Sequence, residues 1–156
     1  MSGLSPESAQ RLKGMGKMEF IALMALLMAL NALAIDIMLP GLQEIGASLG
    51  VENENHRQYV ISAYLIGFAL AQLVYGPVSD RFGRRAPMFV GLAIYIVSSL
   101  AAILVPSFTA LLALRFIQGI GSAAMRVITI SIVRDVFGGR AMAEVMSLIM
   151  MVFMVV

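Results

Sequence analysis

Three ionisable side chains stand inside stretches that are otherwise apolar: Asp36, Arg115 and Arg126. Placing such a group within hydrocarbon costs about 2.5–3.5 kcal/mol on insertion scales, so each must face protein or water. The chemistry open to such a set is exchange of charge and protons. A carboxylate beside a cation, in a cavity of changing wetness, shifts its pKa as the cavity opens and closes. Arg126 follows Arg115 by 11 residues, three helical turns and about 16 Å further along. Gly119 and Ser122 fall on the same face, so Arg115, Gly119, Ser122 and Arg126 read as the wall of a polar cavity. The face below Asp36 carries Ala32, Ala29 and Ala25, small enough for close packing or open space. Arg115 lies about 12 Å into its stretch and Asp36 at a similar or shallower level. An ion pair between them, direct or through water, is geometrically allowed. The plainer reading is structural: the charges fix helix register, and Arg126 snorkels to the surface.

The elements that must position these residues are long apolar helices. Of 156 residues, 60% are hydrophobic and 13% charged, against about 45–50% and 25% in soluble domains. Four runs reach the roughly 20 residues that cross a bilayer, and the expected helices are 18–39, 58–78, 87–105 and 107–134. A fifth, 141–156, is still apolar at the last residue, Val156, so the sequence reads as ending within that helix. Residues 1–17 read as a polar tail, and the first span as uncleaved, since no small-residue cleavage site follows it. Barrel strands would be shorter and alternate in polarity, which these runs do not. The fold class is therefore an all-α membrane protein.

Charge placement sets the expected orientation. Arg11, Lys13, Lys17, Arg81, Arg84, Arg85, Arg134 and Arg140 fall on one side of these spans and Arg57 on the other. The positive-inside rule then puts the N-terminus and the 79–86 loop in the cytoplasm. The 40–57 loop, with Glu44, Glu52 and Glu54, faces outward. A net charge of +2 implies no nucleic-acid partner. The chain has no cysteine, which removes disulfides and thiolate sites, and His56 reads as a solvated loop residue. No metal or other cofactor is expected.

Between the second and third runs stands Gly76-Pro77-Val78-Ser79-Asp80-Arg81-Phe82-Gly83-Arg84-Arg85. It resembles the loop signature of the major facilitator superfamily, Gly-x-x-x-Asp-Arg/Lys-x-Gly-Arg/Lys-Arg/Lys, at every specified position. Gly76 permits close helix approach, Gly83 a tight turn, and Asp80 can pair with Arg84. Arg115-Phe116-Ile117-Gln118-Gly119-Ile120-Gly121 is similar to the superfamily motif associated with proton coupling. Asp36 to Pro40 resembles the first-helix stretch of twelve-helix drug:proton antiporters, most closely the bicyclomycin/chloramphenicol-resistance branch, and Ile61-Ser62-Ala63-Tyr64 through Phe68 and Val133-Arg134-Asp135 fit the same branch. Two departures stand out: Met38 replaces a usual aromatic, and the sequence ends before the Gly-Pro motif that marks antiporters in the fifth helix.

The resemblance implies two six-helix halves built of inverted three-helix repeats, of which this chain supplies part of the first. It implies no covalent chemistry, so not an enzyme, but proton-coupled efflux of a small amphipathic drug-like substrate through a bacterial inner membrane. Asp36 would accept the proton and Arg115 tune it. Gln118, Gly119, Ser122, Arg126, Tyr64 and Gln72 would line the cavity. Gly76, Asp80, Arg81, Gly83, Arg84, Arg85 and Asp135 would form a cytoplasmic gate, with Asp80 docking on the C-terminal half. An importer of the same fold, or a shortened product that carries nothing, are the rival expectations. On the second helix, Tyr64, Gly67, Ala71 and Tyr75 share a face, the small residues packing a neighbouring helix. On the fifth, Met142, Met146, Met150 and Met154 read as adaptable apolar packing rather than a copper site.

Overall fold

The computed structural model describes residues 16–36, 38 and 58–155. The expected outer loop with His56 and Arg57 and most of the N-terminal tail lie outside them. Five helices follow in order: α1 Lys17–Asp36, α2 Tyr59–Phe82, α3 Arg85–Ile103, α4 Phe108–Val136 and α5 Gly139–Val155. No strand occurs among the described residues. The first four are long and apolar enough to cross a membrane.

The central helix is α4, which packs against all four others. Its start is fixed locally: Ser107 caps it by accepting a hydrogen bond from the Ala110 amide at 3.4 Å, after Pro106 has ended the preceding turn. Glycines set how closely its neighbours approach. A Cβ on Gly119 would collide with the Tyr64 carbonyl oxygen of α2, and one on Gly67 with that of Phe116. Against α3, a Cβ on Gly121 would stand 2.6 Å from the Gly91 carbonyl oxygen and 2.6 Å from the Tyr95 amide nitrogen. In lipid, where no hydrophobic force draws helices together, such close backbone packing is what holds them.

A second cluster joins α1, α4 and α5 at the end of the bundle that carries Lys17. Phe20, Met24 and Met28 pack with Val133, Phe137, Val145 and Ile149, and the rings of Phe20 and Phe137 meet edge-on at 5.5 Å. Met142, Met146 and Met150 press on this cluster, while Met154 is exposed; the methionine ladder is a packing face. Helix α3 buries little beyond Pro87, Gly91 and Ser98. Phe89, Val90, Val97 and Leu100 point outward, a face suited to acyl chains.

The α2 boundary differs from the sequence expectation. The helix continues past Val78 to Phe82, so Asp80 and Arg81 form its last turn and the connection to α3 is only Gly83 and Arg84. Pro77 removes one donor within the helix, which is tolerable on an exposed face near its end. Gly83 ends it at φ 83°, a left-handed conformation in which a side chain would be strained.

Candidate functional site

Asp36, Asn31, Ala32 and Ile35 of α1 line an open cleft of about 380 Å³, facing Leu65 and Phe68 of α2, Arg126 of α4, and Phe153 and Met154 of α5. That volume falls within the range of small-molecule sites, as does the mixture of apolar walls and few polar groups. The Arg126 guanidinium lies 5.9 Å from the centre of the Phe68 ring, where the ring face attracts a cation. Asp36 closes α1, about 28 Å along it from Lys17, whereas Arg126 stands about 15 Å from the C-terminal end of α4. Those two helix ends lie together, as the Phe20–Phe137 contact shows. The charges therefore sit at different depths, and no ion pair joins them.

Arg115 occupies a separate, narrow gap lined by Ala34, Ile35, Met38, Val60, Ile61 and Tyr64. The gap holds about 10 Å³, room for roughly one water. Arg115 Nη1 donates to Gln118 Oε1 at 2.7 Å, Gln118 Nε2 donates to Ser99 Oγ at 2.7 Å, and Ser99 Oγ donates to the Tyr95 carbonyl at 2.7 Å. Arg115 Nε is buried without a partner. The direct pairing of Asp36 with Arg115 that the spacing allowed is thus absent: Arg115 donates to Gln118 of its own helix, and Ile35 borders both spaces. The expected cavity wall also divides. Gly119 and Ser122 are buried against α2, and only Arg126 of that stripe borders the large cleft.

Between these spaces runs a buried polar contact. Tyr64 Oη donates to Asn31 Oδ1 at 2.6 Å and lies 2.8 Å from Ser122 Oγ, which in turn donates to the Gly119 carbonyl at 3.0 Å. This ties α1, α2 and α4 together. Sequence reasoning passed over Asn31, although an amide inside an apolar span was itself the signal. Tyr75 is buried against Ala123, Ala124 and Ile128, away from the cleft. Gln72 is half-buried and lines neither space.

At the other end, Arg84 gathers the loop signature. Its Nη1 donates to Asp80 Oδ1 at 2.6 Å and to Ser79 Oγ at 2.6 Å, and its Nε to Asp135 Oδ2 at 2.8 Å. Ser79, which the signature leaves unspecified, is buried and donates to the Gly76 carbonyl at 2.9 Å. The Asp135 hydrogen bond raises the Arg84 guanidinium above its ordinary pKa against the opposing effect of desolvation, and the Asp80 hydrogen bond adds to the rise. Gly83 supplies the turn, Arg81 lies 5.5 Å from the Phe82 ring, and Arg85 is exposed. Among the described residues nothing lies within 4 Å of where a Gly76 Cβ would be, so the close approach expected at Gly76 does not occur among them. Beside this cluster Lys17 pairs with Glu144 at 2.8 Å, linking α1 to α5. No group of acidic or histidine ligands able to hold a metal occurs among the described residues.

Four long apolar helices define an integral membrane protein. The model of the Major Facilitator Superfamily matches residues 21–156, and the chain belongs to that superfamily. It is 37% identical over 139 residues to the uncharacterised MFS-type transporter YdgK of Bacillus subtilis strain 168, covering 89% of this chain and 34% of that protein. It is 31% identical over 140 residues to multidrug resistance protein D of Escherichia coli K12, covering 90% and 35%. With the bicyclomycin resistance protein homolog of Haemophilus influenzae it shares 33% identity over 135 residues, covering 86% and 34%. The chain thus spans about a third of the length of these curated relatives. No solved structure matches it.

Proposed function

We propose that the full-length protein exports small amphipathic molecules across the bacterial inner membrane in exchange for protons, by alternating access. The observation that carries this reading is the cleft of about 380 Å³ in which one carboxylate, Asp36, and one guanidinium, Arg126, stand among apolar walls. Membership of the superfamily supports it, as do relatives named for multidrug and bicyclomycin resistance. Asp36 takes up the proton. Arg126 lines the same cleft at a different depth. Arg115 acts from the adjoining gap across Ile35.

In this reading the end bearing Lys17, Arg84 and Arg140 is cytoplasmic, following the positive-inside rule. Asp80, Arg81, Arg84, Arg85 and Asp135 form a gate there against the C-terminal half of the transporter, which completes the cleft. The test is Asp36→Asn in the full-length protein, reconstituted in liposomes under an imposed pH gradient. Gradient-driven export should cease while expression and folding persist; undiminished export would count against the assignment. The direction of flux relative to the gradient distinguishes export from nutrient import, because an antiporter moves its substrate opposite to the protons and a symporter moves it with them.

A further inference from the structure

Asn31 differs from the other polar residues of the bundle in having two distinct environments. The residue is only 5% exposed and sits five residues before the end of α1, yet it lines the large cleft. Its carbonyl oxygen is occupied, accepting the Tyr64 hydroxyl at 2.6 Å. Its amide nitrogen has no hydrogen-bond partner among the described residues, and it is not among the fully enclosed unpartnered atoms, which are Arg115 Nε and Thr129 Oγ1. That nitrogen is therefore not fully enclosed, and the space that Asn31 lines is the cleft. An NH₂ group is a donor only, and Tyr64 holds it in place, itself braced by Ser122 at 2.8 Å. The amide lies five residues, about 7.5 Å along the helix axis, from Asp36. The cleft thus offers a carboxylate, a guanidinium and one oriented neutral donor.

We propose that Asn31 is a specificity-determining residue, whose amide N–H reads a hydrogen-bond acceptor, such as an amide or ketone oxygen, on the molecule bound in the cleft. The inference rests on the transport reading above and narrows its substrate class. A site that presents an oriented donor disfavours a ligand unable to engage it, because the donor loses its water without gaining a partner. Apolar walls alone would select only by size and hydrophobicity. Asn31 binds rather than reacts, and Tyr64 positions it.

The test uses the full-length protein in liposomes and two probes: bicyclomycin, whose ring amides are acceptors, and tetraphenylphosphonium, which has none. The readout is the ratio of their export rates, so that losses in folding or in overall turnover cancel. Asn31→Leu, similar in size but without the donor, should lower the bicyclomycin-to-tetraphenylphosphonium ratio by about tenfold, the scale of one neutral hydrogen bond. Tyr64→Phe should lower it by a smaller factor, because the amide remains but swings free. Asn31→Ser, which restores a donor, should recover part of the ratio and serves where Asn31→Leu does not fold. An unchanged ratio in Asn31→Leu and Asn31→Ser overturns the proposal. If the unmutated protein exports neither probe, the transport reading fails, and titration calorimetry of bicyclomycin on the purified protein then decides. Binding weakened about tenfold by Asn31→Leu upholds the donor role; equal binding, or none by the unmutated protein, overturns it.

Discussion

Alanine placed at Gly121 and at Gly76 should have opposite effects, although both are helical glycines in superfamily motifs. At Gly121 the added Cβ would stand 2.6 Å from the Gly91 carbonyl oxygen and 2.6 Å from the Tyr95 amide nitrogen. Reaching ordinary contact at 3.4 Å requires α3 and α4 to part by about 0.8 Å. Both obstacles are backbone, so no side chain can rotate away. Overpacking of one methyl costs about 1–3 kcal/mol, and the upper end applies here. Alanine returns about 1 kcal/mol of helix propensity, leaving a net loss of about 2 kcal/mol. At Gly76 nothing among the described residues lies within 4 Å of the new Cβ, so only the propensity gain of about 1 kcal/mol remains. SDS titration of the 156-residue chain in mixed micelles, followed by far-UV circular dichroism, measures both. The two variants should differ by about 3 kcal/mol. Equal shifts would refute the reasoning, because the α3–α4 approach would then not be what the glycine permits.

Tyr64→Phe removes a buried hydroxyl and leaves Asn31 Oδ1 and Ser122 Oγ short of a partner; the same titration should show a loss of about 1–3 kcal/mol. Asp135→Asn weakens the contact with Arg84, but Asp135 is 45% exposed, so solvent screening should hold the loss below about 1 kcal/mol. Arg84, whose folded pKa lies above its ordinary value, contributes fully below its unfolded pKa and loses that contribution only as pH rises through the folded one. Thermal stability measured between about pH 6 and 9 should therefore carry no slope from this group.

Much of the fold was legible along the chain, because crossing a membrane is a local demand. Each span needs only length, apolarity and its own internal hydrogen bonds, so four spans, the turn at Gly83 and the pairing of Arg84 with Asp80 follow from nearby residues or from a known pattern. Helical spacing also placed Gly67 and Ala71 on a packing face. What spacing leaves open is which neighbour a face meets. Arg115 and Arg126 share a stripe on α4, yet the close crossing with α2 at Gly119 divides that stripe, sending one guanidinium to Gln118 and the other to the cleft of Asp36. Gly76 shows the converse, a motif glycine without a close neighbour among the described residues. The Asn31–Tyr64 contact joins residues 33 apart in sequence, and its existence depends on how α1 and α2 lean against α4. Residue types set which groups could not face lipid; the distances between helices decided which of them meet.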